Sequence, residues 1–248
     1  MKQNYKLLQG AKVDPTGKTT GFRIPVIAGT LISYFLILCF ASCADNIDSK
    51  FPKDYEGLPY KDNVAGEIIQ TIPGKIECAY YDLGGQGVAY NDREEKNLGS
   101  GEYNYQDGHC DGAGEYICRF RENEGVDISF TKSFLDFTEN NIVTPPERQL
   151  FIGWTAPDEW CNYTVVAEKP GTYAVDFLYS GEGSTFALSI NGTEAFNVSL
   201  PSVTGNYHHW NCATDLARVT FASKGKHLLK IYNYANVNAA SLTFRTVD

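Results

Sequence analysis

Residues 184–200 read STFALSINGTEAFNVSL. Phe186, Leu188 and Ile190 alternate with small or polar residues. A half-buried strand requires this, because successive side chains point to opposite faces of a sheet. Asn191-Gly192 follows at once. Both residues tolerate the positive φ angles of a type I′ turn, whose twist matches that of paired strands. The stretch therefore reads as a β-hairpin, and the pattern recurs on either side. Upstream, TYAVDFLYS (172–180) places Tyr173, Val175, Phe177 and Tyr179 on one face. Downstream, ARVTFAS (217–223) and HLLKIYNY (227–234) are two further strands, with turns at Pro170-Gly171 and Gly225. No stretch from Gly66 onward sustains a helical period. Many short strands between turn signals predict an all-β fold, a two-sheet antiparallel β-sandwich of jelly-roll type.

The N-terminus has a different character. Residues 24–40, IPVIAGTLISYFLILCF, are apolar and uncharged, and Lys2, Lys6, Lys12, Lys18 and Arg23 precede them against the single acid Asp14. A basic stretch followed by an apolar one is the pattern of an export signal. The run ends in FASC, and small residues before a cysteine resemble the lipobox of bacterial lipoproteins, with Cys43 as the lipidated residue. The alternative is an uncleaved membrane anchor, for which the run is slightly shorter than the ~20 apolar residues of a spanning helix. Residues 1–43 are thus a signal peptide or anchor, residues 44–65 a polar linker, and residues 66–248 the β-sandwich. Both readings place the domain outside the cytoplasm, at the outer membrane or cell surface.

Beyond Cys43 the chain carries 16 Lys and Arg against 29 Asp and Glu. That balance is the wrong sign for nucleic acid, and it argues against polyanionic substrates and anionic membrane surfaces. Five cysteines remain: Cys78, Cys110, Cys118, Cys161 and Cys212. An exported chain permits disulfides, and Cys110 and Cys118, which close a short Gly-rich loop, are the expected pair. No CxxC and no zinc-like His/Cys spacing occurs.

Four stretches together resemble the family 6 carbohydrate-binding modules, β-sandwich domains appended to polysaccharide-degrading enzymes. They are IPGKIECAYYDLGGQGVAYND (72–92), FRENEGVDIS (120–129), IGWTAPDEWCNYTVVAEKPGTYAVDF (152–177), and TGNYHHWN (204–211) with VNAASLTF (237–244), in the family's order. Two stretches are longer than the family's, 93–119 and 130–151, and are expected as loops that reshape the cleft. The resemblance implies a binding cleft at one end of the sandwich, where two aromatic rings flank a sugar and an Asn hydrogen-bonds it. Those positions fall on Phe120, Tyr207 and Asn238. The chemistry suits a pyranose: its C–H face is covered by a ring, and its hydroxyls both donate and accept, as an Asn amide does. Trp154, Trp160 and Trp210 read as core or rim. The family's structural calcium is held by paired acids and a C-terminal Asp. Here only Glu77 matches, with Ala79 and Ala240 at the other positions, so a calcium site is expected to be weak or lost and no other cofactor is implied.

No GxSxG, HExxH or P-loop pattern occurs, and no stretch singles out the pair of carboxylates a glycosidase needs. The expected function is non-catalytic binding of a neutral polysaccharide or oligosaccharide at the cell surface, through a lipid anchor and alongside polysaccharide-degrading enzymes of the same cell. The alternative is an adhesion or scaffold lipoprotein that kept the fold and lost sugar binding. His208 and His209 are adjacent on an expected strand, so regular geometry points them to opposite faces and away from a shared metal.

Overall fold

The hairpin at 184–200 forms with Asn191 and Gly192 both at positive φ, 50° and 79°, in the computed structural model. The structure describes residues 51–63, 66–106, 108–202 and 204–247. The expected signal or anchor segment, including Cys43, lies outside the described residues.

Five short strands come first: β1 (Lys61–Asp62), β2 (Gly66–Glu67), β3 (Gln70–Ile72), β4 (Gly74–Glu77) and β5 (Tyr90–Asn91). They are followed by β6 (Ile128–Phe130), β7 (Leu150–Ile152), β8 (Trp160–Ala167), β9 (Gly171–Gly181), β10 (Thr185–Ile190) and β11 (Thr193–Ser199). The chain closes with β12 (Asn206–Phe221), β13 (Gly225–Tyr232) and β14 (Val237–Thr246). β1 and β2 pair with each other in a two-stranded sheet, and the other twelve build two six-stranded sheets, one ordered β11-β10-β13-β8-β3 with β5 also on β8, the other β12-β9-β14-β7-β6 with β4 also on β14. All these pairings are antiparallel except β3 with β8. The fold is an all-β sandwich.

The two sheets meet through the alternating face of β9. Tyr173, Val175, Phe177 and Tyr179 are buried. Phe177 of one sheet stacks on Phe186 of the other, with ring centroids 4.1 Å apart. Burying each such ring stabilises the fold by roughly 1.5–3 kcal/mol. The hairpin turn is locked from the neighbouring strand, since the Asn191 side-chain oxygen accepts from Leu228 N at 2.8 Å.

The two long stretches lie between strands, as expected. The first carries two one-turn helices, α1 (Leu98–Gly101) and α2 (Glu115–Cys118), and is closed by a Cys110–Cys118 disulfide. The second is tied down at Asp136 and Asn141. Asn141 accepts from Trp210 N at 2.9 Å, while the Trp210 carbonyl accepts from Ile142 N and Val143 N. No helix among the described residues is long and apolar enough to cross a membrane.

The described part of the expected linker, 51–63, differs from a free tether. Tyr60 is buried and stacks on Tyr80 at 5.1 Å. Tyr55 OH donates to Asp82 at 2.8 Å, and Leu58 exchanges backbone hydrogen bonds with Leu83. The aromatic residues of a polar stretch thus find apolar cover on the sandwich, so its packed part begins before Gly66.

Candidate functional site

At one end of the second sheet, β7 finishes at Ile152 while β12 and β14 begin at Asn206 and Val237. A cleft of about 450 Å³ opens there. Its rings are Tyr103, Trp154 and Tyr207, its polar groups include Asn238, Ser129, Lys132 and His208, and Phe151 closes the apolar side.

Trp154 is 46% exposed and adopts φ of +51°, a left-handed conformation unusual for so bulky a residue. Its backbone follows Gly153, whose N–H donates to Asp127 O at 2.9 Å. Its ring lies over Gly99 of α1, where an added Cβ would come within 2.9 Å of the indole. Tyr103 meets the indole edge-on at 5.5 Å and is itself backed by the stacked His109 ring at 4.3 Å. Tyr207 is half-buried at the start of β12. Asn238 is 4% exposed and donates from Nδ2 to Tyr207 O at 2.8 Å.

Behind the cleft, Asp136 is a buried anchor. It accepts from Lys132 N at 2.7 Å, from Trp210 Nε1 at 2.8 Å, and pairs with His208 Nδ1 at 3.0 Å. This fixes His208 at the cleft's edge and joins the second long loop to β12. His209 is not among the cleft's residues. Trp210 is fully buried against Phe151.

Two of the three residues expected to bind sugar, Tyr207 and Asn238, are therefore together in the cleft. Phe120 is not. It is 3% exposed and packed among Tyr60, Tyr80 and Tyr116, with centroids 5.5–5.6 Å away. A ring enclosed on these sides has no face to offer, so its role is corrected to core packing. The rings it was expected to supply come instead from Trp154 and from Tyr103. Trp154, read as core or rim, is followed by Thr155-Ala156-Pro157-Asp158, and the turn chemistry of that Pro-Asp pair is the signal that could have marked it as exposed. Tyr103 and Lys132 lie in the two stretches longer than the family's, where no motif position is available to carry over.

Glu77 forms an ion pair with Lys75 and accepts from Gln149 Nε2 at 2.7 Å. Ala79 and Ala240 are buried and apolar. The only convergence of acids among the described residues lies elsewhere: carboxylate oxygens of Asp92, Glu94 and Glu159 come within 4.8 Å of one another. Burial, followed by the Glu159 charge, holds Asp92 up to about 8. Oxygen donors of this kind suit a hard cation such as calcium.

A larger, more open hollow of about 930 Å³ is lined in part by β8, β10 and β13, and by Tyr55, Trp160, Glu194, Lys230 and Tyr232. Its indole is already covered, with Lys230 Nζ 3.9 Å from the Trp160 ring centroid. Tyr55 and Tyr232 spend their hydroxyls on Asp82 and Glu194. The exposed indole of Trp154, rather than volume, singles out the smaller cleft.

No family model and no curated protein matches the sequence. Solved structures do. A β-1,3-glucan-binding family 6 carbohydrate-binding module from Bacillus halodurans is similar with a TM-score of 0.44 and 13% identity, covering 72% of this chain and 100% of that one. A family 6 module from Cellvibrio mixtus lichenase 5A, solved with cellotriose, has a TM-score of 0.35 and 13% identity, covering 40% of this chain and 79% of that one. The C-terminal family 6 module of a marine laminarinase from Zobellia galactanivorans has a TM-score of 0.33 and 15% identity, covering 38% and 77%. These are likenesses of fold, and the functional reading below rests on the cleft's own residues.

Proposed function

We propose that the protein binds a polysaccharide or oligosaccharide, without catalysis, in the cleft between Trp154, Tyr103 and Tyr207. The observation that carries this reading is a half-exposed indole held in a left-handed backbone conformation beside a buried Asn and a half-buried Tyr. Rings of this kind cover the C–H face of a pyranose, and the neighbouring amide meets its hydroxyls. Among the described residues no carboxylate lines the cleft, which leaves glycoside hydrolysis there without its acid and base.

Calorimetry and a glycan array with full-length protein test the reading. Binding is expected to be lost in a Trp154→Ala/Tyr207→Ala double variant that keeps the wild-type circular dichroism spectrum. Retained binding in that variant moves the site elsewhere. A clean negative for wild type across the array favours the adhesion or scaffold reading.

We further propose attachment to the membrane through a lipid on Cys43, which the basic, apolar and FASC succession supports. Metabolic labelling with a radioactive fatty acid is expected to mark the wild type and not Cys43→Ser. Enzymes that degrade the bound polysaccharide are the natural partners at the same surface.

A further inference from the structure

Beyond Cys43 the chain holds 29 acids against 16 basic residues, yet its cleft is lined by Lys132 and His208 and by no carboxylate among the described residues. Among the described residues Lys132 is the one Lys, Arg, Asp or Glu side chain that lines it. His208 is paired with Asp136. Lys132 is not paired in this way.

Lys132 is 1% exposed. Its Nζ donates to Ser129 Oγ at 2.6 Å and to Phe130 O at 3.3 Å, both neutral acceptors. An ammonium has three donors, so one is left over. The groups that face it are accounted for. Asp136 accepts from the Lys132 backbone, His208 and Trp210. Asp111 accepts from Ser133 N and Oγ, at 2.6 and 2.8 Å. The rings of Phe130 and Tyr103 lie 4.1 and 4.9 Å from Nζ, with His109 stacked beyond Tyr103. Ring faces attract a cation but do not neutralise it. Burial, opposed by the more distant charges of Asp136 and Asp111, pulls the amine down to about 8, which leaves it mostly protonated at neutral pH. A buried ammonium with no carboxylate in direct contact is costly. Here it stands at the wall of an aromatic cleft, where a ligand can supply the missing charge.

We infer that the cleft recognises an anionic group, a carboxylate or a sulfate ester, on one sugar unit, with Lys132 as its counter-charge. This rests on the cleft being a sugar site. The acidity of the whole domain disfavours a densely charged polyanion. The ligand class that satisfies both conditions is a mostly neutral chain with an isolated acidic unit, at an end or on a branch.

The test is calorimetry on full-length protein with matched pairs: xylo-oligosaccharides with and without a glucuronic acid branch, and galactan oligosaccharides with and without a sulfate ester. The charged member of one pair is expected to bind about tenfold tighter, the size of one charge-assisted hydrogen bond. Which pair shows the difference identifies carboxylate or sulfate. Lys132→Met is expected to erase the difference between the two members of that pair, and Lys132→Arg to keep part of it. Should Lys132→Met fail to fold, wild type alone decides: the preference for the charged member is expected to fade as pH rises through about 8. Equal affinity within both pairs overturns anion recognition and leaves the sugar reading intact. Failure of wild type to bind any member, charged or neutral, overturns both.

Discussion

Asn238 donates from Nδ2 to the backbone carbonyl of Tyr207 across 2.8 Å. The starts of β12 and β14 are thereby joined at the cleft, and Ser180 Oγ reinforces the bond by donating to the same carbonyl at 2.6 Å. The tyrosine ring and the amide are positioned as one unit. With its nitrogen engaged, Asn238 has its oxygen left for a ligand, as an acceptor of a sugar hydroxyl.

That oxygen sits where a side chain at residue 153 would be. A Cβ on Gly153 would lie 2.9 Å from Asn238 Oδ1 and 3.1 Å from Phe151 Cε2. Gly153→Ala is therefore expected to displace the amide and weaken sugar binding by about tenfold, the value of one hydrogen bond to a well-placed acceptor. Calorimetry against the best array ligand measures this. Unchanged affinity would show that Asn238 does not touch the sugar.

Trp154 is the largest free ring in the cleft, at 46% exposed. Trp154→Ala removes the platform and is expected to cost about 2 kcal/mol of binding, roughly thirtyfold in affinity. Stability is expected to change little, because the ring is half exposed and Ala, which keeps the Cβ, meets the same backbone requirement at φ +51°. Parallel titration and thermal melts separate the two effects.

Phe120 is expected to behave in the opposite way. Its ring fills a pocket among Tyr60, Tyr80 and Tyr116. Phe120→Ala is expected to destabilise the fold by about 3–5 kcal/mol, the usual range for deleting a buried Phe. Affinity measured on the remaining folded protein should be unchanged. Chemical denaturation with calorimetry at a permissive temperature checks both halves, and a binding loss without destabilisation would return Phe120 to the site.

The contrast between Phe120 and Trp154 shows what the sequence carries and what it withholds. Strand alternation is a local property, and the hairpin at Asn191-Gly192 and the buried face of β9 were legible from it. Tyr207 and Asn238 were legible because each follows a motif that sits on a strand start. Exposure of an aromatic ring is decided by distant chain. Phe120 is covered by Tyr60, sixty positions away in a segment read as a tether, and no local pattern reports that contact. Tyr103 and Lys132 belong to long loops whose path is set by tertiary ties such as Asp136 to His208 and Trp210. Periodicity says nothing of such paths.

The acids at Asp92, Asp127 and Glu159 make stability depend on pH with a definite sign. Burial, then neighbouring acidic charge, holds Asp92 up to about 8 and Asp127 to about 7, and raises Glu159 for the same reasons. In the unfolded chain such groups titrate near about 4. Between pH of about 4 and about 8 the folded protein retains protons that the unfolded chain has shed, so stability falls as pH rises through that window. Asp111 and Asp176 are shifted down, by hydrogen bonds from Ser133 and by the Arg245 pair, and withdraw their contribution only below about 4, outside it. The melting temperature is therefore expected to drop from pH 5 to pH 8. Asp92→Asn keeps an oxygen for the Glu94 N–H, which Asp92 Oδ1 accepts at 3.0 Å, and removes the charge. It is expected to raise the melting temperature at pH 8 and to flatten the slope. Thermal melts across the range decide it, and a wild-type profile that rises toward pH 8 would sink the argument.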